Sequence, residues 1–241
     1  MGWKNYKYRF LPWLLFNMRN RLTTLQKKTQ NDLSLSPVQL NASLTKILSK
    51  LHPELNFEAN SSILSSQFGY ELCVSGSKEG KGCGVFLSSG SVHPGQIVGL
   101  YPGSIYHPGD PILIPSLFNP YILQLSDGVM IDGRSHGLSG SIFKSIAYRD
   151  RYPDMTWLRH PTRPSNPLSL GQLISNGGSK GFNVTYAECC WDLRGSHRLN
   201  QLIPNAPYDP NHELVIRVVP IVAIRDISCG EELLSSYFSI V

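Results

Sequence analysis

From Tyr70 onward the chain is a close succession of short β-rich runs broken by glycine turns, and this pattern limits the fold more than any other feature. ELCVS, GVFL, QIVGLY, ILIPSLF, YILQL and GVMI follow one another with no long helix between them. Closely spaced runs of this kind predict small, mainly antiparallel sheets. Further on, ELVIRVVPIVAIRDI reads as a strand pair with Pro220 between, followed by the acidic turn CGEELLSSYF. Asp226 and Glu231 read there as residues that cap and charge a short closing helix. The 21 glycines and 17 prolines favour strands and turns over a helical bundle. With 41% apolar and 16% charged residues, a chain of 241 residues can bury a core. The expected class is therefore α+β and β-rich.

Residues 1–65 read differently, as a basic helical region. Leu11, Leu14, Leu15, Met18, Leu22 and Leu25 share one helical face. Ser36-Pro37 looks like a cap followed by proline at the first helical position. Leu40, Leu44, Ile47, Leu48 and Leu51 form a second face, which His52-Pro53 ends. The positive charge also sits here. Seven Lys and Arg precede Asp32 with no acid among them, while the formal net charge of the whole chain is +5. Basicity confined to one segment is not a broad nucleic-acid face, so no direct nucleic-acid partner is expected. YKYRFLPWLLFNMRNRL has neither the longer apolar core nor the small-residue cleavage site of a secretory signal. Amphipathic, basic and acid-free, it fits a mitochondrial presequence. An ordinary docking helix with a basic outer face has the same composition. The chain is read as intracellular: mitochondrial on the first reading, nuclear or cytoplasmic on the second. No stretch approaches 18 apolar residues, so no transmembrane segment is expected.

Cys73, Cys83, Cys189, Cys190 and Cys229 form no CxxC pair and are odd in number. They read as free buried thiols, and no metal spacing appears. Asn41, Asn60 and Asn183 stand in N-x-S/T tripeptides that read as chance. His93, His107 and His136 sit beside Gly or Pro in turn-like contexts. Residues 139–167 read as a polar, loop-like insertion that serves recognition or is partly disordered. GKGCGVF holds Gly82-x-Gly84 ahead of a strand. No GK[ST] follows and no helix opens after it, so it is neither a P-loop nor a dinucleotide fingerprint.

The order of motifs carries more. GKGCGVF is followed by LYPGSIY, then NPLSLGQLISNGG, then NVTY, and last VVPIVAIRDISCGEELLSSYF. This succession resembles the SET methyltransferase family over about Tyr70 to Val241. The closing Gly230-Glu231-Glu232-Leu233, with a tyrosine five residues beyond Glu232, is its most specific part. The resemblance implies a SET fold of small curved, mainly antiparallel sheets with a threaded C-terminal segment, in a domain spanning residues 66–241. It also implies S-adenosyl-L-methionine as cofactor and a protein lysine side chain as methyl acceptor. Gly82, Cys83 and Gly84 would present backbone to the cofactor, where glycine allows close approach. Asn176 matches the asparagine of the family's asparagine-histidine-serine segment and would hydrogen-bond the cofactor, with Gly177 beside it. Tyr237 matches the closing tyrosine, a cofactor-contacting and catalytic position next to the methyl group and the amine. Asn183 stands where the family has a second asparagine, or else supports a turn. Tyr101, Tyr106 and Tyr186 are candidates for the channel or the cofactor pocket.

Two departures accompany the resemblance. The family's asparagine-histidine-serine-cysteine run is here Asn176-Gly177-Gly178-Ser179; the histidine and the cysteine are gone, and glycines there are expected to loosen the pocket. The sequence also lacks the cysteine-rich modules that complete the substrate channel in several relatives. The 139–167 segment, the N-terminal helices or a partner would then have to do so. The alternative function is a catalytically weak or inactive interaction module.

Overall fold

The computed structural model describes residues 36–78, 82–150, 153–177, 181–209 and 214–235, and the backbone of Thr23–Thr24 and Phe238–Ser239. Helix α1 (Pro37–Leu48) begins as its sequence dictates. Ser36 Oγ accepts from Gln39 N at 3.3 Å, and Gln39 Oε1 accepts from Ser36 N at 2.9 Å, a reciprocal capping box. Its buried face is Leu40, Leu44, Ile47 and Leu48. The helix stops at Leu48, before His52-Pro53, although Leu51 is also buried. The other helix expected in this region, over Leu11 to Leu25, lies outside the described residues except for Thr23–Thr24, which forms strand β1.

A helix that the apolar pattern does not announce follows, α2 (Phe57–Phe68). Asn56 Oδ1 accepts from Ala59 N at 3.0 Å at its start, and Gly69 with φ 79° ends it. Asn60 on α2 is buried. It donates to His52 O at 2.9 Å and to Ser165 O at 2.8 Å, and accepts from His52 N at 3.0 Å. These bonds, with Leu44, Leu48 and Leu64, join α1 and α2 to the same hydrophobic core as the sheets.

The strands form small sheets. β2 (Tyr70–Gly76) and β3 (Cys83–Val92) make an antiparallel hairpin, to which β14 (Ile227–Ser228) adds. A five-stranded sheet runs β4 (Ile97–Leu100), β13 (Pro220–Ala223), β9 (Val184–Tyr186), β15 (Leu234–Ser235) and β8 (Ser175–Asn176). β10 (Cys189–Asp192) pairs with β12 (Val215–Val218). The remaining sheet runs β11 (Asn205–Pro207), β5 (Gly103–Tyr106), β7 (Met130–Asp132), β6 (Ile122–Gln124), β1 and β16 (Phe238–Ser239). Most pairings are antiparallel; the short C-terminal β15 lies parallel to both β8 and β9. The chain is thus α+β and strand-rich, with small sheets and few helices.

Several expectations are corrected. ILIPSLF is not a strand: residues Leu113–Ser116 form a helical turn, α3. Pro115 within it has no N–H for a sheet ladder. The segment read as a polar loop contains α4 (Gly137–Asp150) and α5 (Thr156–Arg159). Packing drives both: Phe143 and Trp157 are fully buried, edge to face with ring centroids 4.9 Å apart. The closing turn leads to no helix over 226–235; Glu231 accepts from Ser228 N at 2.9 Å, and the chain continues into β15. All five thiols are free, but only Cys189 is buried, while Cys83, Cys190 and Cys229 are exposed. On β10 the strand alternation turns Cys189 inward and Cys190 outward. Among the described residues no helix is long and apolar enough to cross a membrane.

Candidate functional site

The far end of the β2–β3 hairpin carries the glycine turn. Gly76 pairs with Cys83 and Ser75 with Gly84, while Ser77 N donates to Gly82 O at 3.0 Å. Gly82 sits at φ 140° with open space beside its Cα, and Gly82 and Cys83 are exposed. Gly84 is buried and is glycine for another reason: a Cβ there would overlap the Glu232 carboxylate.

Glu232 is the hub of the site. It is buried, with 6% exposure. Its Oε1 accepts from Ser77 Oγ at 2.6 Å and its Oε2 from Lys78 N at 2.8 Å. A buried carboxylate needs such donors, and charge-assisted bonds of this kind are the stronger ones. Ser77 Oγ also lies 3.0 Å from Ser175 Oγ, at the start of β8. Around this centre the C-terminal segment is laced to β3. Leu87 N donates to Glu231 O at 3.0 Å, Gly230 N to Leu87 O at 2.8 Å and Leu233 N to Val85 O at 2.8 Å. Lys78 Nζ donates to Gly230 O at 3.2 Å. Beside the hub, the Arg225 guanidinium holds the Glu231 carboxyl below its ordinary range.

Three sequence-predicted segments therefore meet here: the Gly82–Gly84 turn, the Asn176–Gly177 segment and the GEEL segment. Asn176 pairs with Ser235 in parallel β8–β15 and is exposed at the edge. Gly177 is buried, and its N–H donates to Ser235 O at 2.9 Å. A Cβ on Gly177 would overlap Gly181 O, so this glycine is tightly packed and does not loosen its surroundings. Gly178 and Tyr237 lie outside the described residues; Tyr237 follows Ser235 by two positions in the chain.

Asn183 is 1% exposed and clamps the same segment. Its Nδ2 donates to Glu232 O at 2.8 Å, and its Oδ1 accepts from Leu234 N at 2.8 Å. Tyr186 Oη lies 3.2 Å from Ser235 Oγ, and Tyr101 meets the Tyr186 ring edge-on at 6.0 Å. Tyr106 is not part of this group: it stacks on Tyr208 in a separate cluster with Ile112, Ile122 and Met130. Of the turn histidines, His93 pairs with Asp226 at 2.6 Å on the surface. Among the described residues no cluster of His, Cys, Asp and Glu could hold a metal. The anchoring roles of Ser77, Ser175 and Glu232 are not legible from single motifs. The small side chains flanking both glycine segments are the one available signal.

No family model matches the chain. SET domain-containing protein 9 of Homo sapiens is 30% identical to it, across 99% of this chain and 96% of that protein. The chain belongs to the SET domain-containing protein 9 family. A second member, SET domain-containing protein 9 of Pongo abelii, is 32% identical over 94% of this chain and 85% of its own length. Solved structures similar to this SET domain-containing protein 9 relative include CpSET8 from Cryptosporidium, at 15% identity and a TM-score of 0.38, covering 97% of this chain and 93% of that one. A humanized mutant of the Chaetomium thermophilum Polycomb Repressive Complex 2, bound to the inhibitor GSK126, aligns at 16% identity and a TM-score of 0.39 over 90% of this chain and 22% of that chain. Membership in the SET domain-containing protein 9 family rests on the two sequence relatives, and with it comes a methyltransferase-type fold.

Proposed function

We propose that this chain is an S-adenosyl-L-methionine-dependent protein methyltransferase that modifies a side-chain amine, with lysine as the acceptor. The observation that carries the reading is the convergence, through Ser77, Ser175 and Glu232, of the three segments to which the family resemblance assigns the cofactor and the methyl transfer. The residues fit such a group. The exposed Gly82 turn leaves its backbone open, and the exposed Asn176 lies on the neighbouring strand. Backbone groups of Gly82, Cys83, Gly84 and Gly177 and the amide of Asn176 would hold the cofactor. When bound, S-adenosylmethionine supplies an electrophilic methyl group whose leaving group is a neutral thioether.

Little covalent chemistry is then left to the chain. It must present a neutral amine in line with the methyl carbon. An apolar wall that includes the rings of Tyr101 and Tyr186 would desolvate the amine and favour its uncharged form. The Tyr237 hydroxyl would orient the nitrogen.

The test is calorimetric titration of the full chain with S-adenosylmethionine. Micromolar binding is expected, weakened by about tenfold in Asn176→Ala through the lost hydrogen bonds. Tyr237→Phe should keep the affinity and slow methyl transfer to lysine; an unchanged rate would remove Tyr237 from the chemistry. One observation favours a second reading, an interaction module. At Gly177 the packing against Gly181 O leaves no room for the side chain that the family places there. Absence of binding at millimolar cofactor would select that reading.

A further inference from the structure

The surface formed by α3, the turn after it and the first half of α4 has properties that the proposed site does not use. Large apolar side chains stand in solvent there: Leu113 at 38% exposure, Ile114 at 66%, Phe118 at 59% and Leu138 at 51%. Phe118 is also the only non-glycine among the described residues with positive φ, at 51°, a region that bulky side chains rarely adopt. Its neighbour explains how the conformation is held. Asn119 is buried, and its Nδ2 reaches Pro115 O at 3.0 Å, Asp132 Oδ1 at 2.8 Å and Ser139 Oγ at 3.3 Å. The last bond joins the turn to α4, so Phe118 and Leu138 each lie one residue before a bonded partner.

A cleft of about 250 Å³ between α4 and α5 reaches the residue before Leu138, with Gly137 and Gly140 in its wall. His136 just before α4, Lys144 of α4 and Arg159 of α5 line it, and no carboxylate does. Elsewhere Arg149, Arg163, Arg194, Arg217 and Arg225 are each paired with a carboxylate. Among the described residues the Lys144 and Arg159 side chains have no such partner. From Asp32 to the C-terminus fifteen Lys and Arg stand against seventeen Asp and Glu. The cleft is thus a local concentration of unneutralised cations on a slightly acidic body, unlike the extended basic stripe that nucleic acid requires.

We propose that this face is a docking surface for an acidic segment of a partner protein that also carries apolar side chains. Its carboxylates pair with Lys144, Arg159 and His136, and its apolar side chains cover Ile114, Phe118 and Leu138. Charge complementarity selects the partner, and the apolar patch anchors it. The docking does not depend on methyl transfer.

The test is fluorescence anisotropy of the full chain with a labelled peptide of glutamates bearing a leucine at every fourth position. Controls are the same peptide with glutamine for glutamate and a single-stranded oligonucleotide of equal charge. Binding to the acidic peptide alone is expected, weakening as salt is raised. The double variant Lys144→Glu, Arg159→Glu should lower affinity by about tenfold or more. Phe118→Asn should lower affinity while keeping or raising Tm, because asparagine accepts the left-handed backbone. Should Phe118→Asn prove unstable, Ile114→Ser reads the apolar contribution on a separate backbone. Absence of peptide binding, affinity unchanged in these variants, or equal binding of the oligonucleotide would each overturn the proposal.

Discussion

Two buried side chains carry the clearest consequences at the scale of single residues. Asn183 has a donor and an acceptor bond to the C-terminal segment, at Glu232 O and Leu234 N. Asn183→Leu leaves both backbone groups without their partner and should lower stability by about 2–3 kcal/mol in urea unfolding. A loss below about 0.5 kcal/mol would mean that solvent reaches and satisfies them. Asp154 is buried, and desolvation pushes its carboxyl up to about 6 against the lowering effect of bonds from Thr156 and Ser169. Its folded pKa thus lies above its unfolded value of about 4. The native state holds the proton longer, so this contribution to stability is complete below about pH 4 and is lost as pH rises through about 6. Asp154→Asn should therefore gain on the parent chain across that window and run parallel to it on either side. Denaturant midpoints measured from pH 4 to 7 check this. In the sequence Asp154 carries no signal of its own, and Asn183 stands out only by its place in the motif order. Burial of Asp154 and the approach of the C-terminal backbone to Asn183 give them these roles.

At the scale of elements, legibility depends on whether local signals agree with tertiary packing. For α1 they agree: Ser36, Pro37 and Gln39 set the start, and the leucine spacing sets the buried face. For α4 they conflict. Ile142, Phe143, Ile146 and Ala147 recur at helical spacing, but Gly137, Gly140 and three serines lower the intrinsic propensity. The helix forms because Phe143 seals against Trp157 and Ala206. Phe143→Ala should accordingly cost about 3–5 kcal/mol, far above a surface change on the same helix. A cost near that of a surface substitution would show that α4 holds itself without this contact. In the structure Asn56 caps the start of α2 and left-handed Gly69 its end. The weakly patterned FEANSSILSSQF run does not announce a helix from the apolar spacing.

Across the whole molecule, one hydrophobic cluster runs from Leu40 and Leu48 of α1 through Leu72, Leu87 and Val98 to Val222 and Leu233. Helices and sheets that share a core should unfold together. Tryptophan fluorescence and far-ultraviolet circular dichroism should give coincident transitions; a separate early loss of helix would divide the molecule. The strand-rich class, the cap of α1 and the family were determined by the chain's own letters, as was the presence of two strands over 215–223, although these join different sheets and Pro220 opens the second instead of lying between them. They depend on local spacing, on turn chemistry and on motif order. The tertiary structure alone decided that Glu232 bridges to Ser77 and Lys78, that Gly84 and Gly177 must lack a side chain, that residues 137–150 coil into a helix, and that Tyr186 reaches Ser235 with Tyr101 edge-on to its ring while Tyr106 packs in another cluster. Each of these rests on the close approach of residues distant in sequence. The burial and bonding that such an approach creates are properties of the folded neighbourhood, and no single segment encodes them.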